Sequence, residues 1–191
     1  MKNIILLPIL CFLINLGLQT SSNAQALLSP PFGLKWGDNP SKLMNWADSL
    51  KLNITIKLLG DLRNNRHIII HNPAGNLPNH DATSIEARFD HNRLYEVTLH
   101  YADSTLTVFQ SKAKFLNAKK ALSARHGPFK PSASTRNAKN DFLSESTSYH
   151  IEPVSGLFLM ITYTELNDQL RQTAKSKFSL IYRNDNIIRK R

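Results

Sequence analysis

The chain is short of three things: cysteine, of which it has one, glycine, of which it has seven, and acid, with 14 Asp and Glu against 24 Lys and Arg. A lone thiol, Cys11, forms no internal disulfide and no cysteine-based zinc site, so stability must come from packing. No phosphate-binding glycine loop, Gly-x-Ser-x-Gly elbow or His-Glu-x-x-His pair occurs, and with them go the locally advertised nucleotide-binding, serine-hydrolase and zinc-protease chemistries. One long apolar run exists, Ile4 to Leu18, and Pro8 and Asn15 interrupt it. It falls short of the ~20 residues that span a bilayer.

That run reads instead as an export leader. Lys2 supplies the positive end and Ala24-Gln25-Ala26 the small-x-small cleavage signal, so residues 1–26 are expected to be a signal peptide cut after Ala26. A lipid-bearing Cys11 fits less well, because Leu10 before it is bulky and the apolar run continues beyond it. Cys11 then leaves with the leader, and a thiol-free domain of residues 27–191 works in a secreted or periplasmic setting. About 165 residues suffice for a single domain that buries on the order of 70% of its unfolded surface. Lys2 is the leader's only charge, so the chain's balance of +10 becomes +9, from 23 basic and 14 acidic residues. Such an excess favours anionic surfaces through salt-screened attraction: lipid headgroups, lipopolysaccharide, cell-wall polymer or acidic protein.

Residues 27–31 form an extended lead-in around Pro30-Pro31. Asp38-Asn39-Pro40 caps a helix over 40–51 with Leu43, Met44, Ala47 and Leu50 on its buried stripe and a tryptophan, Trp36 or Trp46, beside it. Alternation then predicts strands at 54–58 and 66–71, with Gly60 and Asn64-Asn65 turning the chain between them. A loop over 72–82 follows, and then a hairpin of 85–89 and 95–101 that turns at Asp90-His91-Asn92-Arg93. Ser104 is placed as the cap of a long helix to His126, stopped by Gly127-Pro128, with Leu106, Phe109, Ala113 and Leu116 on its apolar face. Residues 128–140 read as a solvated loop. A hairpin over 142–151 and 157–164, a short helix over 166–177, a strand over 178–182 and a basic tail over 184–191 complete the chain, with no internal repeat. The fold class expected is α+β: a single antiparallel sheet of about five to seven strands with two main helices packed on one face.

Phe32-Gly33-Leu34-Lys35-Trp36-Gly37 before a helix, Phe89 to Tyr95 at a hairpin, and His126-Gly127-Pro128 after a long helix resemble segments of small exported bacterial proteins. The Trp-Gly entry is similar to that of domains with the β-lactamase-inhibitor-like fold, shared by some outer-membrane assembly lipoproteins. The resemblance implies an antiparallel sheet covered by helices on one face, and a binding or accessory role. This chain departs from the lipoprotein members in having no lipid-attachment cysteine.

Among candidate metal ligands, His67 and His71 come first. Flanking isoleucines place them on a strand. There four residues cover about 13 Å, and one ion does not bridge the two rings. His80-Asp81 and Asp90-His91 read as solvated turn residues. Glu145 with Glu152, or Glu86 with Glu96, could be imagined as acid and base, yet on strand faces each reads as a solvated carboxylate. No catalytic, cofactor-binding or metal residue is therefore assigned. The one coherent surface is the long helix, where Lys112, Lys114, Lys119, Lys120 and Arg125 crowd together with no acid between Ser104 and His126. Phe109 and Phe115 are placed on its buried side, which leaves no aromatics to interleave with the basic residues and argues against nucleic acid. The expected function is that of an exported, non-catalytic binding or accessory protein of the periplasm or envelope, with no cofactor. The alternatives are an anionic-surface binder acting through helix 104–126 and an unrecognised hydrolase. A partner-binding mode would use the sheet's open face together with loop 72–82.

Overall fold

Asn39 opens the first regular element by accepting the Lys42 amide on its side chain at 3.0 Å, with Pro40 in the first turn. In the computed structural model, which describes residues 28–58, 65–72, 77 and 80–189, this helix is α1, Pro40–Ser49. Strands β1 (Asn53–Leu58), β2 (Arg66–His71), β3 (Ser84–Asp90) and β4 (Arg93–Tyr101) follow as an antiparallel meander. Helix α2 (Val108–His126) then leads to a second meander, β5 (Lys130–Lys139), β6 (Phe142–Val154), β7 (Leu157–Asp168) and β8 (Thr173–Asn184), closed by the short helix α3 (Asp185–Arg189). All eight strands join in one sheet of order β1-β2-β3-β4-β8-β7-β6-β5.

The expectation of five to seven strands is therefore corrected to eight. The added strand is β5, and a second segment differs without changing the count. Residues 128–140, expected as a loop, contain the edge strand β5, and residues 166–177, expected as a helix, are the ends of β7 and β8 around a turn. The tail over 184–191 begins as the end of β8 and α3. Residues 1–27, 59–64, 73–76, 78–79 and 190–191 lie outside the described residues; the leader with its cut after Ala26, Gly60 and Asn64, most of loop 72–82, and the last two basic residues fall there.

Although no sequence repeat is visible, the topology repeats: a helix and a four-strand meander occur twice, and the last strands of the two halves pair at the centre. There Leu99 faces Leu180 and Val97 faces Tyr182. The strand order obliges the chain leaving β4 to cross to the far edge at β5. That distance is four strand spacings, about 19 Å. Helix α2, with 19 residues, makes the crossing over one face of the sheet. Its length of about 28 Å is sufficient. The core sits between this face and the helices. Ile70, Ile85, Leu99, Leu180 and Ile161 form one fully or nearly buried row across it, with Leu43, Ala47 and Phe115 packed from the helices.

The entry segment is pinned at two points. Leu28 is buried against Ile151, Leu157 and Leu159, and the Trp36 indole N–H donates to its carbonyl at 2.8 Å. Gly37, at φ 86°, donates its amide to the Leu94 carbonyl at 2.9 Å, and the Leu94 amide donates to the Asp38 carbonyl at the same distance. Gly37 takes this left-handed conformation without the strain a side chain would bring. The second tryptophan, Trp46 on α1, stacks on Phe32 at 4.9 Å.

Candidate functional site

The face of the sheet opposite α1 and α2 carries the chemistry. Period-two alternation that sends the isoleucines and leucines of β2, β3, β4, β7 and β8 toward the helices sends their neighbours outward. The registers align Thr55, Ile69, Glu86, Thr98, Ile181, Met160 and His150 in one row across seven strands of this open face. Sequence reasoning pairs Glu86 with Glu96 and His67 with His71; the register shows instead which of these side chains meet.

Glu86 stands between two histidines. One carboxylate oxygen lies 2.9 Å from His67 Nε2 and the other 3.1 Å from His100 Nε2. His100 Nδ1 is 3.0 Å from Ser179 Oγ on β8, while His71 turns to Thr55 Oγ1 at 3.2 Å. His67 and His71 thus take separate partners, as their strand spacing requires. Burial alone would raise the Glu86 carboxyl, but His100 and His67 together hold it below the ordinary carboxylate value. Burial pushes the His100 imidazole below its ordinary value, against the pull of Glu86. Near neutral pH the pair is a carboxylate beside a neutral imidazole.

One row further on, Glu96 is 7% exposed and is held by two guanidiniums, Arg88 Nε at 3.3 Å and Arg183 Nη1 at 3.4 Å. Arg183 also pairs with Asp185 at the start of α3. Glu86 and Glu96 therefore belong to different ionic groups and do not form an acid–base couple. Glu145 and Glu152 do not either: the first pairs with Arg136 on β5, and the second accepts the Gly156 amide at 2.7 Å inside the β6–β7 turn. Between these ionic groups and the Ser146–Thr164 and Ser148–Thr162 hydroxyl pairs, each at 2.9 Å, Phe158, Met160 and Ile181 remain partly exposed.

On the helix side a cleft of about 400 Å³ opens beside α2, lined by His80, Asp81, Tyr101, Asp103, Lys114 and Phe178 among others. Three of its lining rings form a series, with His80 5.7 Å from Tyr101 and Tyr101 stacked on Phe178 at 4.4 Å, and Phe32, outside the lining, lies 5.2 Å from His80. Burial lowers the His80 pKa and raises that of the Tyr101 phenol, so both are neutral near pH 7. His80 is not the solvated turn residue expected, and Asp90, 4% exposed, is not either. The described part of loop 72–82 packs on this side, so loop and open face are separate surfaces.

The basic residues of α2 are not gathered on one face. The cap is Thr107, not Ser104: its hydroxyl accepts the Gln110 amide at 3.2 Å, and Gln110 Oε1 accepts the Thr107 amide at 2.9 Å. This reciprocal pair is a capping box. The side turned to the sheet carries Ser111, Phe115, Ala118, Leu122 and His126. Phe109 and Leu116, expected on the buried stripe, lie about 130° around the helix from it, and both point outward. Lys114, 3.6 Å from Asp81, lies roughly 160° around the helix from Lys112. Lys119 sits 3.4 Å above the Tyr149 ring, while Lys112, Lys120 and Arg125 are exposed. Among the described residues no group of His, Cys, Asp and Glu is arranged to hold a metal ion, and no helix is long and apolar enough to cross a membrane. Comparison with protein-family models, with curated proteins and with solved structures yields no match to this chain.

Proposed function

We propose that this chain is an exported, non-catalytic binding protein of the periplasm or cell envelope, and that it takes a protein partner on the open face of the sheet. The observation that carries this reading is the partly exposed Phe158–Met160–Ile181 strip on β7 and β8, beside the Arg88–Glu96–Arg183 group and in register with Thr98 and Glu86. A solvated sheet face alternates polar residues outward. Aromatic, methionine and arginine side chains around a fixed ionic frame are instead the composition of protein interfaces. The acids and histidines of the open face, Glu86, Glu96, His67 and His100, are tied to one another and to arginines across neighbouring strands, which supports binding over catalysis. Export is supported by the leader's pattern and by Leu28, whose burial fits a folded domain that starts directly after the cut at Ala26.

Capture of a partner from envelope extract tests the reading. Met160→Lys and Ile181→Lys, at partly exposed positions, are expected to abolish capture with an unchanged circular dichroism spectrum. Charge reversal of Lys119 and Lys120 on the other side of the sheet is expected to spare it. Retention of the partner by both open-face variants would refute the assignment.

A further inference from the structure

We infer that the outward flank of α2 docks on an anionic phospholipid bilayer, with Phe109 and Leu116 entering the acyl boundary and Lys112 and Lys120 binding headgroup phosphates. This surface is independent of the open face, because α2 lies on the opposite side of the sheet. Phe109 is 81% exposed and Leu116 50%, although both belong to a helix whose other side is sealed into the core. At about 3.6 residues per turn, positions 109, 112, 116 and 120 form one line along the helix, within roughly 80° of arc. That line alternates bulky apolar and basic side chains.

Charge selects the occupant. From Ser104 to Asn140 there are eight Lys and Arg and no acid. Lys114 is taken by Asp81, Lys119 by the Tyr149 ring and Arg136 by Glu145. Among the described residues no acid pairs with Lys112 or Lys120. A second copy of the chain would bring the same lysines face to face and be repelled. A soluble polyanion would neutralise the lysines but leave Phe109 and Leu116 in water. A bilayer with anionic headgroups satisfies both, since apolar side chains bury at the headgroup–acyl boundary while lysine stems reach back to the phosphates.

Co-sedimentation of the full chain with phosphatidylglycerol-containing and pure phosphatidylcholine vesicles tests this, because any contribution of residues 1–26 is common to wild type and variants. Lys112→Gln/Lys120→Gln is expected to weaken binding to the anionic vesicles by about 25-fold, roughly fivefold per lysine. Phe109→Ser/Leu116→Ser is expected to weaken it on the order of 10-fold or more, with an unchanged circular dichroism spectrum. Phe109→Trp should shift its emission to the blue on anionic vesicles and stay unmoved on polyphosphate. Equal binding by wild type and both double variants overturns the proposal, as does an unmoved Trp signal on vesicles. It is also overturned by concentration-dependent self-association that Phe109→Ser abolishes, since a second copy would then be the occupant.

Discussion

The two meanders share a topology and differ in what they bury. In the N-terminal half the strands are six to nine residues long, and β2, β3 and β4 seal one face completely, with Ile68, Ile70, Ile85, Ala87 and Leu99 at 0% exposure. In the C-terminal half the strands are ten to thirteen residues long, and every residue of β5 is exposed. The difference follows from where the helices lie. Helix α2 rests mainly on β7 and β8, so ladder hydrogen bonds and cross-strand pairs such as Arg136–Glu145 hold the exposed strand β5 with little core beneath it. Lys130, Pro131, Arg136 and Lys139, with a bulge between Pro131 and Ala133, guard its free edge against further strands. A repeated topology thus supports two tasks: β2, β3, β4, β7 and β8 close the core, and the outer C-terminal strands extend surface.

The sharpest way to break this contrast is to delete equivalent side-chain bulk in each half. Ile85→Ala is expected to cost about 2–5 kcal/mol in urea denaturation, and Thr135→Ala on β5 less than about 0.5 kcal/mol. A similar cost for the two would remove the asymmetry. Next in size is Gly156, at φ 79° in the β6–β7 turn, where a Cβ would lie 2.6 Å from the Asn186 side-chain amide. That amide donates to the Ser155 carbonyl, a hydrogen bond the added methyl would displace. Gly156→Ala should cost about 1–2 kcal/mol through backbone strain and loss of this bond, measured the same way. Thr107→Ala, which removes the capping box at the link between the halves, should cost about 1 kcal/mol in thermal unfolding.

The smallest expected effect is on pH dependence. His80 and His100, one beneath the helices and one on the open face, are both held below the ordinary imidazole value of 6.5. The unfolded chain then binds protons first as pH falls through about 6.5, so stability is full above that pH and declines below it. Glu86, held below its ordinary 4.5, adds stability above that value which is lost at lower pH. Denaturation midpoints should therefore drop between about pH 7 and pH 5, followed in steps of about one unit. His100→Asn should flatten the decline, and a midpoint that rises on acidification would contradict the shifts.

The same contrast explains what the sequence discloses. In the N-terminal half β2, β3 and β4 each have one buried face, so Ile68 and Ile70, then Ile85, Ala87 and Phe89, mark the period of two and set the boundaries to within two residues. The Asp90–Arg93 turn is legible because His91 and Asn92, at φ 50° and 60°, adopt the left-handed conformation of a tight hairpin connection. Asn is a residue type that such turns favour. In β5 neither face is buried, so no alternation exists to be read. Leu166, Leu170 and Ala174 fall four apart and mimic a helix stripe, while the molecule leaves Leu166 40% and Leu170 77% exposed at a hairpin end. On α2 the cap is Thr107 in place of Ser104, and the side packed on the sheet is that of Ser111, Phe115 and His126, which leaves Phe109 outward. The Glu86 and Glu96 groups are illegible for another reason: each joins three strands, and only the register shows which residues meet.

Amide hydrogen exchange at residue resolution tests the division of tasks most directly. The account predicts that β3, β4 and β8 exchange only through global unfolding, while β5 and the outer half of β6 exchange through far smaller openings, by orders of magnitude in rate. Protection of β5 equal to that of β3 would contradict it, because the outer C-terminal wing would then be as tightly held as the strands that line the core.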